Sequence, residues 1–483
     1  MTSRPLRLAP SAMFRARELG AIETAAMRIL EEVGIEVAHP ELAQRVRRQG
    51  FRLEQGRARL SRRQVESFLA EEGRAPCKHR RRPQPGRAGP VRLTMSVSGY
   101  ADHVHDPETD EIVRFSTSRV VDSTKLVAML GDRALEAGVP GCPVDVPAPL
   151  QSVLQYRIGI ENLPGGGEPV DAKSLQSLPY VMEMAEVLGH PIRSLPVYVG
   201  SPLRLGGESL RAAVALEPRL DSIYVASYPS AGCTAPVRPA EAFALATAEV
   251  LGSALILREC MKCQVFWEVA VYSSDLRSMS MSYGSPENLL FEMASREVNA
   301  YLHRQPWWPD LYNTGSTMAK LPGPQAAAEK MNYMTVAALL GARSLFHAGA
   351  LSMSEVFSPI QLLLDLEMKD HVERMIRGLD TRCDAEACVQ DVRSGLDAGF
   401  VGLDRTVDLY REIYWHPRLF ERRFLGPWTA DPCPRGWGHH AREMVRELVA
   451  RHNYEPPADV RAEVERIYRR AERELAGAST PEA

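Results

Sequence analysis

The stretch that most constrains the fold is Cys263 to Glu287, CQVFWEVAVYSSDLRSMSMSYGSPE. It opens as a short apolar run. Val265, Phe266, Trp267, Val269, Val271 and Tyr272 are β-branched or aromatic, the signature of a parallel strand buried on both faces. Glu268 sits inside that run, and a carboxylate is costly to bury unless something pairs with it. After Ser273-Ser274-Asp275 the chain enters a loop rich in Met and Ser. Ser285-Pro286-Glu287 then opens a helix, with Ser285 as N-cap, Pro286 at the first helical position and an acid in the first turn. Strand, long polar loop and capped helix form the unit of any α/β enzyme. In an α/β barrel that loop lies on the catalytic face.

The unit recurs along the chain. Short apolar runs at Leu195–Val199, Ser222–Ser227, Trp307–Tyr312 and Ser344–Ala348 read as strands. Cys142–Pro149 reads as another, with Asp145 near its end. Helical periodicity marks Ser118–Ala137, Ser174–Leu188, Leu203–Leu216, Pro239–Leu251, Asn288–Leu302, Gln325–Leu339 and Pro359–Gly378. Alternation of this kind argues a parallel sheet with right-handed crossovers, and about seven strands suit a closed eightfold barrel better than a short open sheet. Val91–Val97 is the candidate eighth strand. Before it, Leu6–Gly50 reads as two helices and Leu60–Ala70 as a third. KHRRRPQPGRAGP, residues 78–90, reads as a solvated basic loop. The expected organisation is an N-terminal helical extension and basic linker over 1–90, a TIM (β/α)8 barrel over 91–430, and a C-terminal helical tail over 431–483 packed on the barrel.

Composition removes other classes. Lysines and arginines number 58 against 61 acids, a net charge of −3, so no global field recruits nucleic acid or an acidic membrane. No apolar run reads as approaching the ~20 residues of a membrane span, and the N-terminus lacks a signal-peptide pattern. A cytoplasmic protein is expected. Eight cysteines in 483 residues are no disulfide framework. Cys260 and Cys263 form a C-x-x-C without a second pair at zinc spacing, so no bound metal is expected. There is no G-x-G-x-x-G and no P-loop.

Several segments carry a resemblance. They are ILEEVGIEV at Ile29–Val37, VDVP at Val144–Pro147, GCTAPV at Gly232–Val237, YGSPE at Tyr283–Glu287, HAGALSMSE at His347–Glu355, Leu364–Glu367, and the tail HNYEPPADVRAEVERI at His452–Ile467. In this order, and over nearly the whole chain, they resemble the trimethylamine methyltransferase family. The resemblance implies a TIM barrel that moves a methyl group from a methylated amine to the Co(I) of a corrinoid (cobalamin) on a separate cognate protein. It also implies a cytoplasmic enzyme, expected to be a homo-oligomer. One branch of the family places pyrrolysine in the barrel. This chain has only standard residues and resembles the other branch, whose members use quaternary amines such as glycine betaine. ENLPGGGEPVDAK at Glu161–Lys173 and RECMKC at Arg258–Cys263 depart from the family's pattern.

Residue types identify candidates for such chemistry. A quaternary ammonium donates no hydrogen bond and is held by aromatic faces, at roughly 0.5–2 kcal/mol per contact. Tyr228, Trp267, Tyr283, Trp307, Trp308, Tyr312 and Phe346 stand at expected strand ends. Trp307 and Trp308 are adjacent, so at most one faces inward. His347 ends a strand and is a candidate to orient the amine or bind a substrate carboxylate. Glu268 and Asp145 are candidate countercharges. The alternatives are a non-catalytic or repurposed barrel that binds a betaine-like cation, and methyl transfer to a different acceptor.

Overall fold

Three parallel strands carry the site: Ser194–Val199, Ser222–Ser227 in the middle, and Gln264–Glu268. The chain is described from a computed structural model over residues 6–8, 12–72, 92–166, 174–305, 311, 314–431 and 436–475. Register sorts the side chains of these strands. Val197, Val225 and Trp267 lie level across the sheet and are buried in the larger hydrophobic core. Tyr198, Ala226 and Glu268 form the next level. Successive strand residues face opposite ways, so this second level is turned away from that core.

A second parallel pair joins Thr94–Val97 to Ser344–Ala348, and a single bridge from Met95 to Leu135 extends it. A third group sets His103–His105 parallel to Val356–Phe357 and antiparallel to Ile112–Arg114. The fold is α/β with parallel ladders. Among the described residues these ladders do not join into one continuous sheet. The strand expected at Val91–Val97 forms over Thr94–Val97. The strand expected at Trp307–Tyr312 (apart from Leu311), the basic run at 78–90 and most of the Gly-rich run after Glu161 lie outside the described residues.

Helix Pro239–Cys260 is the central packing element. It extends nine residues past the expected end at Leu251. It is long and apolar enough by length and composition to cross a membrane, against the expectation drawn from the sequence. Every residue from Ala242 to Leu257 is buried, as in a core helix that is hydrophobic all round. Helix Ala16–Glu32 crosses it through Gly252. A Cβ there would lie 2.5 Å from Leu30 Cδ2 and 2.8 Å from Ile35 Cγ1.

Two expectations are corrected. The N-terminal segment is not helical alone. Ile35–Val37, Arg52–Glu54 and Arg57–Arg59 join Arg204–Leu205 in a four-stranded sheet. These strands are too short for an alternation to be read. Residues 142–149 form no strand. Asp145 instead accepts bonds from the Thr117 N–H at 2.9 Å and the Thr117 hydroxyl at 2.7 Å, fixing the start of helix Thr117–Met129. The C-terminal helices Trp437–Arg451 and Ala458–Leu475 pack against helices Thr117–Met129 and Ala148–Asn162.

Candidate active site

A cavity of about 530 Å³ opens at the C-terminal ends of the three parallel strands. Alternate residues dominate its lining: Tyr224, Ala226 and Tyr228 from one strand and its exit, with Ser227 between the last two, and Glu268, Ala270 and Tyr272 from the next. The two alanines leave the room that the flanking tyrosines define. Tyr198 joins at the level of Ala226. Tyr198, Tyr228, Tyr272 and Tyr283 form a continuous arc, with 5.6 Å between each successive pair of ring centroids. Burial pushes the phenols of Tyr272 and Tyr283 far up. The arc therefore presents neutral π faces.

Glu268 is the single acid among the described lining residues, and no Lys or Arg accompanies it. The residue is 4% exposed. It accepts a 2.7 Å bond from the Tyr224 hydroxyl and is ion-paired with the buried guanidinium of Arg296. Helix Pro286–Leu302 delivers Arg296. That helix starts as its sequence dictates, with the Ser285 hydroxyl accepting from Asn288 N–H at 3.2 Å.

His347 closes the opposite wall. Its φ of 65° lies in the left-handed region, which a non-glycine residue holds only when its surroundings enforce it. They do so here. The Lys330 ammonium donates to the His347 carbonyl at 3.4 Å and to Asp365 at 2.7 Å. Asp365 also accepts from the Gly349 N–H at 2.7 Å and from Gln361 at 2.7 Å. On the ring, Nδ1 lies 3.2 Å from the Ser354 hydroxyl. Burial, with the Lys330 charge second, pushes the imidazole down to about 4, so it is neutral near pH 7. Glu249, inside helix Pro239–Cys260, accepts from Ser201 Oγ at 2.9 Å and Leu203 N–H at 3.0 Å. Burial pushes its carboxyl up to about 7.

Of the residues singled out in the sequence, Tyr228, Tyr283, Glu268 and His347 meet in this cavity. Trp267 does not. It occupies the opposite face of its strand, stacked on His303 at 3.8 Å. Asp145 is committed to the Thr117 helix start. Phe346 is not part of the described lining, because its neighbour His347 takes the cavity side. Trp307, Trp308 and Tyr312 lie outside the described residues. The structure adds Tyr100, Tyr198, Tyr224, Tyr272, Ser316, Met353 and Ser354. Reading Tyr224, Ala226 and Tyr228 as one strand face would have found Tyr224. Among the described residues no three His, Cys, Asp or Glu converge as metal ligands.

Residues 4–475 match the family model for trimethylamine methyltransferase (MTTB). The chain belongs to the trimethylamine methyltransferase family. It is similar to the glycine betaine methyltransferase of Desulfitobacterium hafniense, 26% identical over 89% of this chain and 90% of that protein. It is similar to trimethylamine methyltransferase MttB2 of Methanosarcina mazei, 25% identical over 64% of this chain and 61% of that protein. Among solved structures, the Methanosarcina barkeri monomethylamine methyltransferase aligns over 96% of this chain and 94% of its own, at 11% identity and a TM-score of 0.37. The tyrosine arc and Glu268 are thus features of a methyltransferase-family chain.

Proposed function

We propose that this chain binds a permanently methylated ammonium in the tyrosine-lined cavity and delivers one methyl group to a reduced corrinoid on a separate protein. The observation that carries this reading is the arc of four tyrosines facing one carboxylate, with no Lys or Arg in the described lining. Membership in the family and the similarity to a glycine betaine methyltransferase support the substrate class. The parallel ladders are read as arcs of a (β/α)8 barrel, and the cavity as lying at its C-terminal mouth.

Each residue has a role in this account. The tyrosine faces hold N⁺, each contact worth roughly 0.5–2 kcal/mol. Glu268 supplies countercharge, and its ion pair with Arg296 and the hydrogen bond from Tyr224 hold its carboxylate in place. Neutral His347 and the hydroxyls of Ser316 and Ser354 offer hydrogen bonds to a carboxylate on the substrate. When the C–N bond breaks, its electron pair stays on nitrogen, and a neutral tertiary amine leaves. No proton is needed, so a wall of neutral phenols and a neutral imidazole suffices. The protein orients one methyl toward the cavity mouth, where alignment itself lowers the barrier.

The rim fits an incoming carrier. Tyr100, Tyr228 and Met353 are exposed at the mouth, while Glu268 and Tyr272 lie buried at the floor. A corrinoid on such a carrier would supply the nucleophilic cobalt there.

The test mixes purified protein with cob(I)alamin and, separately, trimethylamine, choline, glycine betaine and carnitine. Consumption of cob(I)alamin with a quaternary amine is expected. Tight binding of a quaternary amine with no consumption would replace this reading by a cation-binding barrel.

A further inference from the structure

Three L residues in succession, Ser352, Met353 and Ser354, hold left-handed backbone, with φ of 47°, 58° and 76°. That conformation is unfavourable for any residue with a Cβ and is seldom continued beyond one position. It persists where the surroundings over-determine it. Here the segment 314–320 does so. The Ala319 carbonyl accepts from Ser352 N–H at 2.8 Å, and the Thr317 carbonyl from Met353 N–H at 2.9 Å. Leu351 and Val356, on either side of the turn, share a small buried cluster with Ala319 and Ala326. The segment is itself anchored. Thr314 Oγ1 accepts from Phe346 N–H at 2.7 Å, and the Glu329 carboxylate accepts from Met318 N–H at 3.2 Å.

Lys320 locks the first residue of the turn. Its ammonium donates to the Ser352 hydroxyl at 2.7 Å, and that hydroxyl donates to Glu355 at 2.6 Å. An ammonium only donates and a carboxylate only accepts, so the buried hydroxyl between them has one orientation. Lys320 and Glu355 are both exposed and stand outside the cavity lining. What the strained run delivers is on the inside. It turns Met353 and Ser354 into the lining and sets Ser354 Oγ 3.2 Å from His347 Nδ1.

We propose that Lys320 is a positioning residue of this site. Through Ser352 it holds the left-handed turn that keeps Ser354 against His347, and so sets the preference for substrates that carry a carboxylate. The proposal rests on the reading of His347 and Ser354 as the carboxylate side of the site. The tyrosine arc, on the opposite wall, takes no support from the turn. The test is calorimetric titration of wild type, Lys320→Met and Lys320→Arg with glycine betaine and with choline. Lys320→Met keeps the apolar stem and removes the donor. It should weaken glycine betaine about tenfold, the loss of one hydrogen bond to a charged group, and choline by less than about twofold. Lys320→Arg restores a donor and should recover most of the glycine betaine affinity. The His347 proton resonances should move in Lys320→Met and return in Lys320→Arg, with unchanged circular dichroism in both. Wild-type affinity for glycine betaine in Lys320→Met would overturn the proposal. So would an equal loss for the two ligands. A wild type that binds neither ligand would overturn the reading of the cavity itself, and this proposal with it.

Discussion

The Tyr224 hydroxyl donates a 2.7 Å hydrogen bond to Glu268 on the neighbouring strand. Register sets Tyr224 level with Phe266, so the bond runs diagonally to the next residue on the same face. A hydrogen bond to a charged group contributes about 1.5–3 kcal/mol. Tyr224→Phe should lower unfolding stability by about that amount and leave the fold unchanged. Denaturant titration checks it.

Arg296→Met should be more severe. It leaves the buried Glu268 carboxylate without its ion-pair partner, at about 3–5 kcal/mol. The double change Arg296→Met with Glu268→Leu should recover much of that loss. Equal stability of the single and double variants would show that the pair is not coupled.

Lys330 and Asp365 pose the same question for His347. Both side chains are fully buried and 2.7 Å apart, and together they hold the His347 carbonyl and the Gly349 N–H, the backbone that leaves the left-handed His347. Lys330→Met should destabilise by about 3–5 kcal/mol. It should also raise the imidazole from about 4, since the Lys330 charge is the second cause of its depression. Histidine proton resonances followed against pH report that shift.

His347 in the cavity wall and Glu249 in helix Pro239–Cys260 have opposite pH signatures. His347 titrates at 6.5 ordinarily and about 4 here. Its contribution is fully present above 6.5 and is lost as pH falls toward 4. Glu249 titrates at 4.5 ordinarily and about 7 here. Between those values the folded state holds the extra proton, so its contribution falls as pH rises through 7. Glu249→Gln should therefore gain on wild type as pH is raised from about 5 to about 8. Unfolding free energies of both proteins at each pH decide it, and a gap independent of pH would contradict the assignment.

Much of the architecture was legible in the sequence because the signals are local. Strands Ser222–Ser227 and Ser344–Ala348 and the Ser285 cap follow from short β-branched runs and from Ser-Pro-Glu. What failed depends on partners distant in sequence. Cys142–Pro149 reads as a strand until Asp145 is seen to fix the start of a helix at Thr117. Trp267 and Glu268 are adjacent on opposite strand faces, and only the packing of Trp267 on His303 and of Glu268 into the cavity lining tells which is which. Tyr198 and Tyr283 lie 85 positions apart. Only the pairing of three strands brings both into one arc.

The central claim is that this arc selects positive charge. Calorimetric titration of wild-type protein with choline and with its neutral carbon analogue, 3,3-dimethylbutanol, tests it without altering the fold. The two ligands match in shape and differ in the charge at the quaternary centre. Cation–π contacts and Glu268 together predict choline binding at least about tenfold tighter, or ~1.4 kcal/mol, with the difference shrinking in Tyr228→Leu. Equal affinity for the two ligands would contradict the account.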